Sequence, residues 1–183
     1  MAVAINTKRW TLAEVHRLPD DGNKYELVRG ELFVTPPPSD EHETIAALLT
    51  EILVPYVRAH GLGHVYRPKA VMRYSGSEVE PDLMVRAAHP HRKGKDTDWN
   101  SAPIPILVVE ILSEFTRRRD HHEKKALYLE AGVAEYWIVD PFERTIAAAG
   151  RGKADRVEDL QMSWSPGGAA TPLGFAVASN FPA

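Results

Sequence analysis

The segment PILVVEIL, residues 105–112, limits the fold more than any other part of the chain. A run of β-branched and leucine side chains, broken only by Glu110, reads as a strand covered on both faces, which needs a sheet with helices packed against it. AEYWIVDP, residues 134–141, is a second buried strand, stopped by Pro141. A helix is expected between them, from about Arg118 to Ala131, closed by Gly132.

Upstream, Ser39 opens the longest helical pattern, with Ile45, Leu48, Leu49, Ile52, Leu53 and Tyr56 at helix spacing, Pro55 as a possible kink, and Gly61 and Gly63 at its end. GHVYRPKAVMRY and EVEPDLMVRA read as two strands around the turn Ser75-Gly76-Ser77. The order helix, strand, strand, strand, helix, strand over residues 39–140 is a mixed α/β plan with one central sheet. Ahead of it, Thr11 to Leu18 predicts a short helix with Thr11 as N-cap, and YELVRGELFVT predicts a β-hairpin turning at Arg29-Gly30. Residues 89–102 predict a polar loop, RTIAAA (residues 144–149) is expected to pair with AEYWIVDP, and the tail from Gly150 holds a loose strand or two.

The 183 residues, 44% hydrophobic and 26% charged, suffice for one domain: residues 1–38 as an N-terminal extension, 39–140 as the core and 141–183 as C-terminal strands. With no cysteine, disulfides, thiolate zinc sites and cysteine nucleophiles are excluded, which suits a cytoplasmic location. No segment has the apolar length of a signal peptide or membrane span. The net charge of −3 argues against a large non-specific nucleic-acid surface, yet it is compatible with an acidic metal site.

Two acids stand where acids are costly. Glu110 interrupts the buried run, so its carboxylate must be paired, hydrogen-bonded or metal-bound. Asp82 follows Pro81 at the mouth of the apolar strand LMV. Adjacent strands can bring both carboxylates to one end of the sheet. Without cysteine such a pair is a hard-oxygen site, favouring Mg²⁺ or Mn²⁺, with the backbone carbonyl of Ile111 available to complete the shell. The plain alternative has Asp82 capping a turn and Glu110 pairing with an arginine. On the following helix Asp120, Lys124 and Tyr128 are four residues apart and share a face, so Lys124 can reach back over the strand end; alternatively it pairs with Asp120 on a solvated face. The adjacent His121 and His122 point in different directions and read as surface.

These residues resemble a known family. YELVRGEL, PDLMV, LVVEILS with TRRRD, Lys124 and Tyr128 after it, and GVAEYWIVDP together are similar to the Uma-two family of restriction endonucleases, within the PD-(D/E)XK superfamily. The resemblance runs from about Thr11 to Pro141 and implies a restriction-endonuclease-like fold: a central mixed sheet flanked by helices, carrying the N-terminal helix and hairpin. It implies Asp82, Glu110 and Lys124 as catalytic residues, Asp82, Glu110 and Ile111 as metal ligands, and Mg²⁺ or Mn²⁺ as cofactor. The superfamily's usual lysine position falls on Leu112, so the lysine is expected to have migrated to Lys124, with Lys125 its neighbour. Glu26, Glu31, His42, Asp120 and Tyr128 are expected around that centre. The chain departs from the family pattern at Glu114-Phe115, where Pro-Ser is usual, and at Pro105-Ile106, where Pro-Asp is frequent.

The resemblance also implies DNA phosphodiester hydrolysis, with Arg67, Lys69, Arg73 and Arg117 to Arg119 contacting phosphates. Cutting both strands suggests a homodimer, and YWIVDP and LGFAVASNF are candidates for its surface. Two other classes fit the same residues: a catalytically silent dimerisation or DNA-binding module, and a metal-dependent phosphoesterase for smaller substrates.

Overall fold

The computed structural model describes residues 8–89, 99, 101–113 and 120–182, with the side chains of residues 120 and 121 outside that set. The chain opens on the short helix α1 (Leu12–Val15), held by the expected capping box: Thr11 accepts from the Glu14 N–H and Glu14 accepts from the Thr11 N–H. Strands β1 (Lys24–Val28) and β2 (Glu31–Thr35) form the predicted hairpin. Arg29 and Gly30 both take positive φ at its turn, the backbone that a tight two-residue connection requires.

Helix α2 (Asp40–Ala59) begins at Ser39, whose hydroxyl accepts from the His42 N–H, and runs through Pro55. Its buried stripe of Ile45, Leu49, Leu53 and Val57 covers one face of the main sheet. Gly63 then turns the chain into β3 (His64–Tyr66) with φ of +113°.

The two strands expected between residues 63 and 87 are four. GHVYRPKAVMRY divides at Arg67–Val71, so β3 joins one sheet and β4 (Met72–Tyr74) another. EVEPDLMVRA divides at Pro81 into β5 (Ser77–Val79) and β6 (Leu83–Arg86). Proline removes the N–H that a continuous ladder needs, and each break lets the chain cross from sheet to sheet.

The remaining elements are β7 (Leu107–Ile111), a π-helical turn (Asp120–Lys124) leading into α3 (Lys125–Ala131), β8 (Glu135–Asp140), β9 (Thr145–Gly150), β10 (Arg156–Glu158), β11 (Gln161–Trp164), β12 (Leu173–Ala176) and a closing 3₁₀ turn at Val177–Asn180. The expected single central sheet is accompanied by smaller ones. The main sheet has six strands in the order β10-β9-β8-β7-β6-β3, a second has four in the order β2-β1-β5-β4, and β11 and β12 form a two-stranded ribbon. In the six-stranded sheet β7 and β8 are parallel and the other pairs antiparallel, so the sheet is mixed. The hairpin is bound into the fold through the Leu27–Glu78 pairing of β1 with β5.

Period-two alternation splits the core in two. Leu107, Val109 and Ile111 face α2, Trp137 and the C-terminal segment, while Val108 and Leu112 face α3, the hairpin and Tyr136. This placement corrects the expectation for the dimer surface. All six residues of β8 are buried, and Phe175, Val177 and Phe181 pack into the first core beside Trp137 and Trp164. Both segments turn their large side chains into the monomer's own interior.

Candidate active site

β6 and β7 run antiparallel with Leu83 opposite Val109, and the register continued by one residue sets Asp82 beside Glu110. Both carboxylates come to one end of the sheet and line the same cleft, of about 680 Å³. Each is almost completely withdrawn from water, with Asp82 5% and Glu110 1% exposed. Buried carboxylates must find donors, and these do.

Asp82 is held from three sides. Its Oδ2 accepts the Ile111 main-chain N–H at 2.9 Å and lies 3.1 Å from His42 Nε2, brought by the first turn of α2. Its Oδ1 accepts from the Lys24 ammonium at 3.1 Å. Burial alone pushes the Asp82 pKa up, but Lys24 and His42 outweigh it and hold the carboxyl far below its usual range. For His42 burial works downward, while the hydrogen bond to Asp82 and its charge raise the pKa above the ordinary value.

Glu110 is held by the following helix. Lys124 Nζ donates to Glu110 Oε1 at 2.6 Å, and Tyr128 donates its hydroxyl to the same oxygen at 2.5 Å. The expected shared face of Lys124 and Tyr128 is therefore present. Lys124 also lies 2.8 Å from Glu26 Oε1, which accepts the Glu80 N–H as well. Burial, followed by the charges of Glu110 and Glu26, drives the Tyr128 pKa well above normal, so the phenol stays protonated as a donor.

Lys124 is fully enclosed, at 0% exposure, and is absent from the cleft wall. Lys125, one residue on, leaves in another direction and pairs with Asp155. The two lysines are thus as different as 100° of helix makes them.

The surrounding expectations divide. Glu26, His42 and Tyr128 join the centre. Glu31 does not: it is exposed beside the hairpin turn, opposite Val28. The Asp120 side chain and Arg117 to Arg119 lie outside the described residues. Among the phosphate candidates, Arg67 is paired with Glu43 at 3.0 Å and Arg73 with Glu78, so both charges are already answered within the chain. Lys69 lines the cleft and is 80% exposed. His122 is exposed, as expected.

Sequence reasoning missed Lys24 and Glu80. Lys24 occupies the first position of β1, and period two sets it on the same face as Glu26. That spacing was the available signal. Burial pushes the Lys24 pKa down, yet the charges of Asp82, Glu26 and Glu110 raise it well above normal, leaving a permanent ammonium. Glu80, by contrast, has its pKa raised by burial.

Among the described residues no three His, Asp or Glu side chains converge closely enough to hold an ion unaided. The Asp82–Glu110 pair nonetheless fits Mg²⁺ or Mn²⁺, which bind through one or two carboxylates and keep several waters. Asp82 Oδ1 carries one contact where a carboxylate oxygen can accept two.

The sequence profile of Uma2, described as "Putative restriction endonuclease", matches residues 12–178. The chain belongs to the Uma2 family. No curated protein matches it. Among solved structures it is similar to one described as a "putative nuclease belonging to DUF820" from Anabaena variabilis ATCC 29413, at 19% identity and a TM-score of 0.77, covering 94% of this chain and 97% of that one. This Uma2 protein has the restriction-endonuclease-like fold, and its family is one of nucleases. Among the described residues no helix is long and apolar enough to cross a membrane.

Proposed function

We propose that this Uma2 protein is a metal-dependent endonuclease hydrolysing DNA phosphodiester bonds in the cytoplasm, with Mg²⁺ or Mn²⁺ held by Asp82, Glu110 and the carbonyl of Ile111. The observation that carries the reading is the pair of buried carboxylates on adjacent strands, both opening into one cleft. Family membership supports nucleic acid as the substrate. A bound divalent ion supplies polarisation of a phosphate oxygen and acidification of a water.

The chain's own groups do the positioning. The Ile111 N–H and His42 fix Asp82 through Oδ2, so that Oδ1 is the oxygen offered to the cleft. Lys124 and Tyr128 fix Glu110, and Lys124 also neutralises Glu26 behind it. Lys124 therefore acts through Glu110, as a positioning residue, rather than on the phosphate itself. Lys69 at the rim of the cleft supplies a positive charge for the DNA backbone. A two-fold dimer would bring a second centre to the opposite strand, through surfaces other than β8 and the C-terminal segment.

The test offers supercoiled plasmid and a mononucleotide ester side by side, with Mn²⁺ and with a chelator. Nicking or linearisation of plasmid with Mn²⁺ alone supports the reading. Hydrolysis of the small ester with intact plasmid makes the protein a phosphoesterase, and inertness toward both makes it a silent module.

A further inference from the structure

The centre contains two lysines, one fully buried and one partly buried, and they are placed differently. Lys124 is sealed beneath Glu110 and Glu26, with 0% exposure and no place on the cleft wall. Lys24 enters from the hairpin, 18% exposed, and lines the cleft beside Asp82. Its ammonium donates to Asp82 Oδ1 and to the Glu80 carbonyl, both at 3.1 Å. An ammonium has three N–H donors, and among the described residues the third has no partner.

We propose that Lys24 is the cation this site presents to a substrate phosphate, a catalytic residue donating its remaining N–H to a non-bridging phosphoryl oxygen. The inference rests on the nuclease reading and names the group that meets the scissile phosphate. Two features support it. The ammonium is anchored by two acceptors at the end of a strand, so little side-chain freedom remains to be lost when an anion arrives. It adjoins the carboxylate proposed to hold the metal, so one phosphate can meet both. Other basic groups near the cleft are less suited: Arg67 and Arg73 are spent on Glu43 and Glu78, and Lys69 lies 3.9 Å from Asp20 at 80% exposure.

The test is binding of a short fluorescent DNA duplex, read by anisotropy across a salt series in the absence of metal. It uses an Asp82→Asn background, so that removing Lys24 does not strand the Asp82 carboxylate. Asp82→Asn is compared with Asp82→Asn/Lys24→Met and Asp82→Asn/Lys24→Arg, each checked for folding by its thermal transition. Loss of one phosphate contact should lower the slope of log K against log salt by about 0.9. The Met variant is expected to show that drop with several-fold weaker binding at low salt, and the Arg variant to recover both. Equal slopes and affinities in all three, including no binding by any, would overturn the proposal. If the Met variant does not fold, the Arg variant decides, since a cation kept at this position should preserve the slope and its loss there contradicts the role. Plasmid cleavage by the wild type is scored separately, so failure of the nuclease reading shows as inert wild type whatever the binding slopes.

Discussion

Lys124 Nζ lies 2.6 Å from Glu110 Oε1, fourteen positions back in the sequence, with both groups buried. Removing one partner of such a pair strands the other charge in the interior, which costs roughly 3–5 kcal/mol. Lys125 pairs with Asp155 at the surface, where such a contact is worth about 0–1 kcal/mol. Urea unfolding should therefore show Lys124→Ala destabilised by several kcal/mol and Lys125→Ala nearly unchanged. Equal small losses would mean that Lys124 is solvated.

His42 gives the site a pH dependence. Its folded pKa is raised above the unfolded value of about 6.5. A group raised on folding contributes stability that is fully present below the unfolded pKa and lost as pH rises through the folded one. The stability difference between wild type and His42→Asn should accordingly shrink as pH climbs from about 6 through the raised His42 value. Histidine NMR titration without added metal should place the His42 midpoint above about 6.5, moving down in Asp82→Asn. A midpoint that ignores the Asp82 change would contradict the contact.

Metal binding should be measurable by calorimetry. Wild type titrated with Mn²⁺ is expected to show a weak binding event that Asp82→Asn loses. Identical isotherms for the two proteins would remove Asp82 from the ligand set.

Among the described residues, Gly63 stands where the backbone leaves no room for a side chain. A Cβ on Gly63 would lie 2.0 Å from the Arg86 carbonyl oxygen, and its φ is +113°. Steric overlap and left-handed strain together should cost Gly63→Ala about 2–5 kcal/mol. Thermal unfolding checks this, and an unshifted transition would mean that β3 does not pair with β6 as described.

The two buried runs identified β7 and β8 because continuous apolar sequence has few structural solutions. Asp82, Glu110 and Tyr128 were legible for a related reason: an acid in such a run needs partners, and residues four apart on a helix share a face. For Lys24 the spacing from Glu26 gave the face of the strand but not the role. Its role depends on β1 pairing with β5, a contact between residues far apart in sequence that no local pattern encodes. Likewise, local alternation continues across Pro68 and Pro81, so it could not reveal the change of sheet at Arg67–Val71 and before Asp82. Glu26 and Glu31 occupy similar places in the hairpin sequence, yet only Glu26 faces the buried interior.

The proposed divalent-metal centre of Asp82 and Glu110 can be looked for by anomalous diffraction from crystals soaked in Mn²⁺. A peak is expected at about 2.0–2.2 Å from carboxylate oxygens of both Asp82 and Glu110, the coordination distance of a small hard cation. No peak at millimolar Mn²⁺, or a peak on surface acids away from this pair, would contradict it.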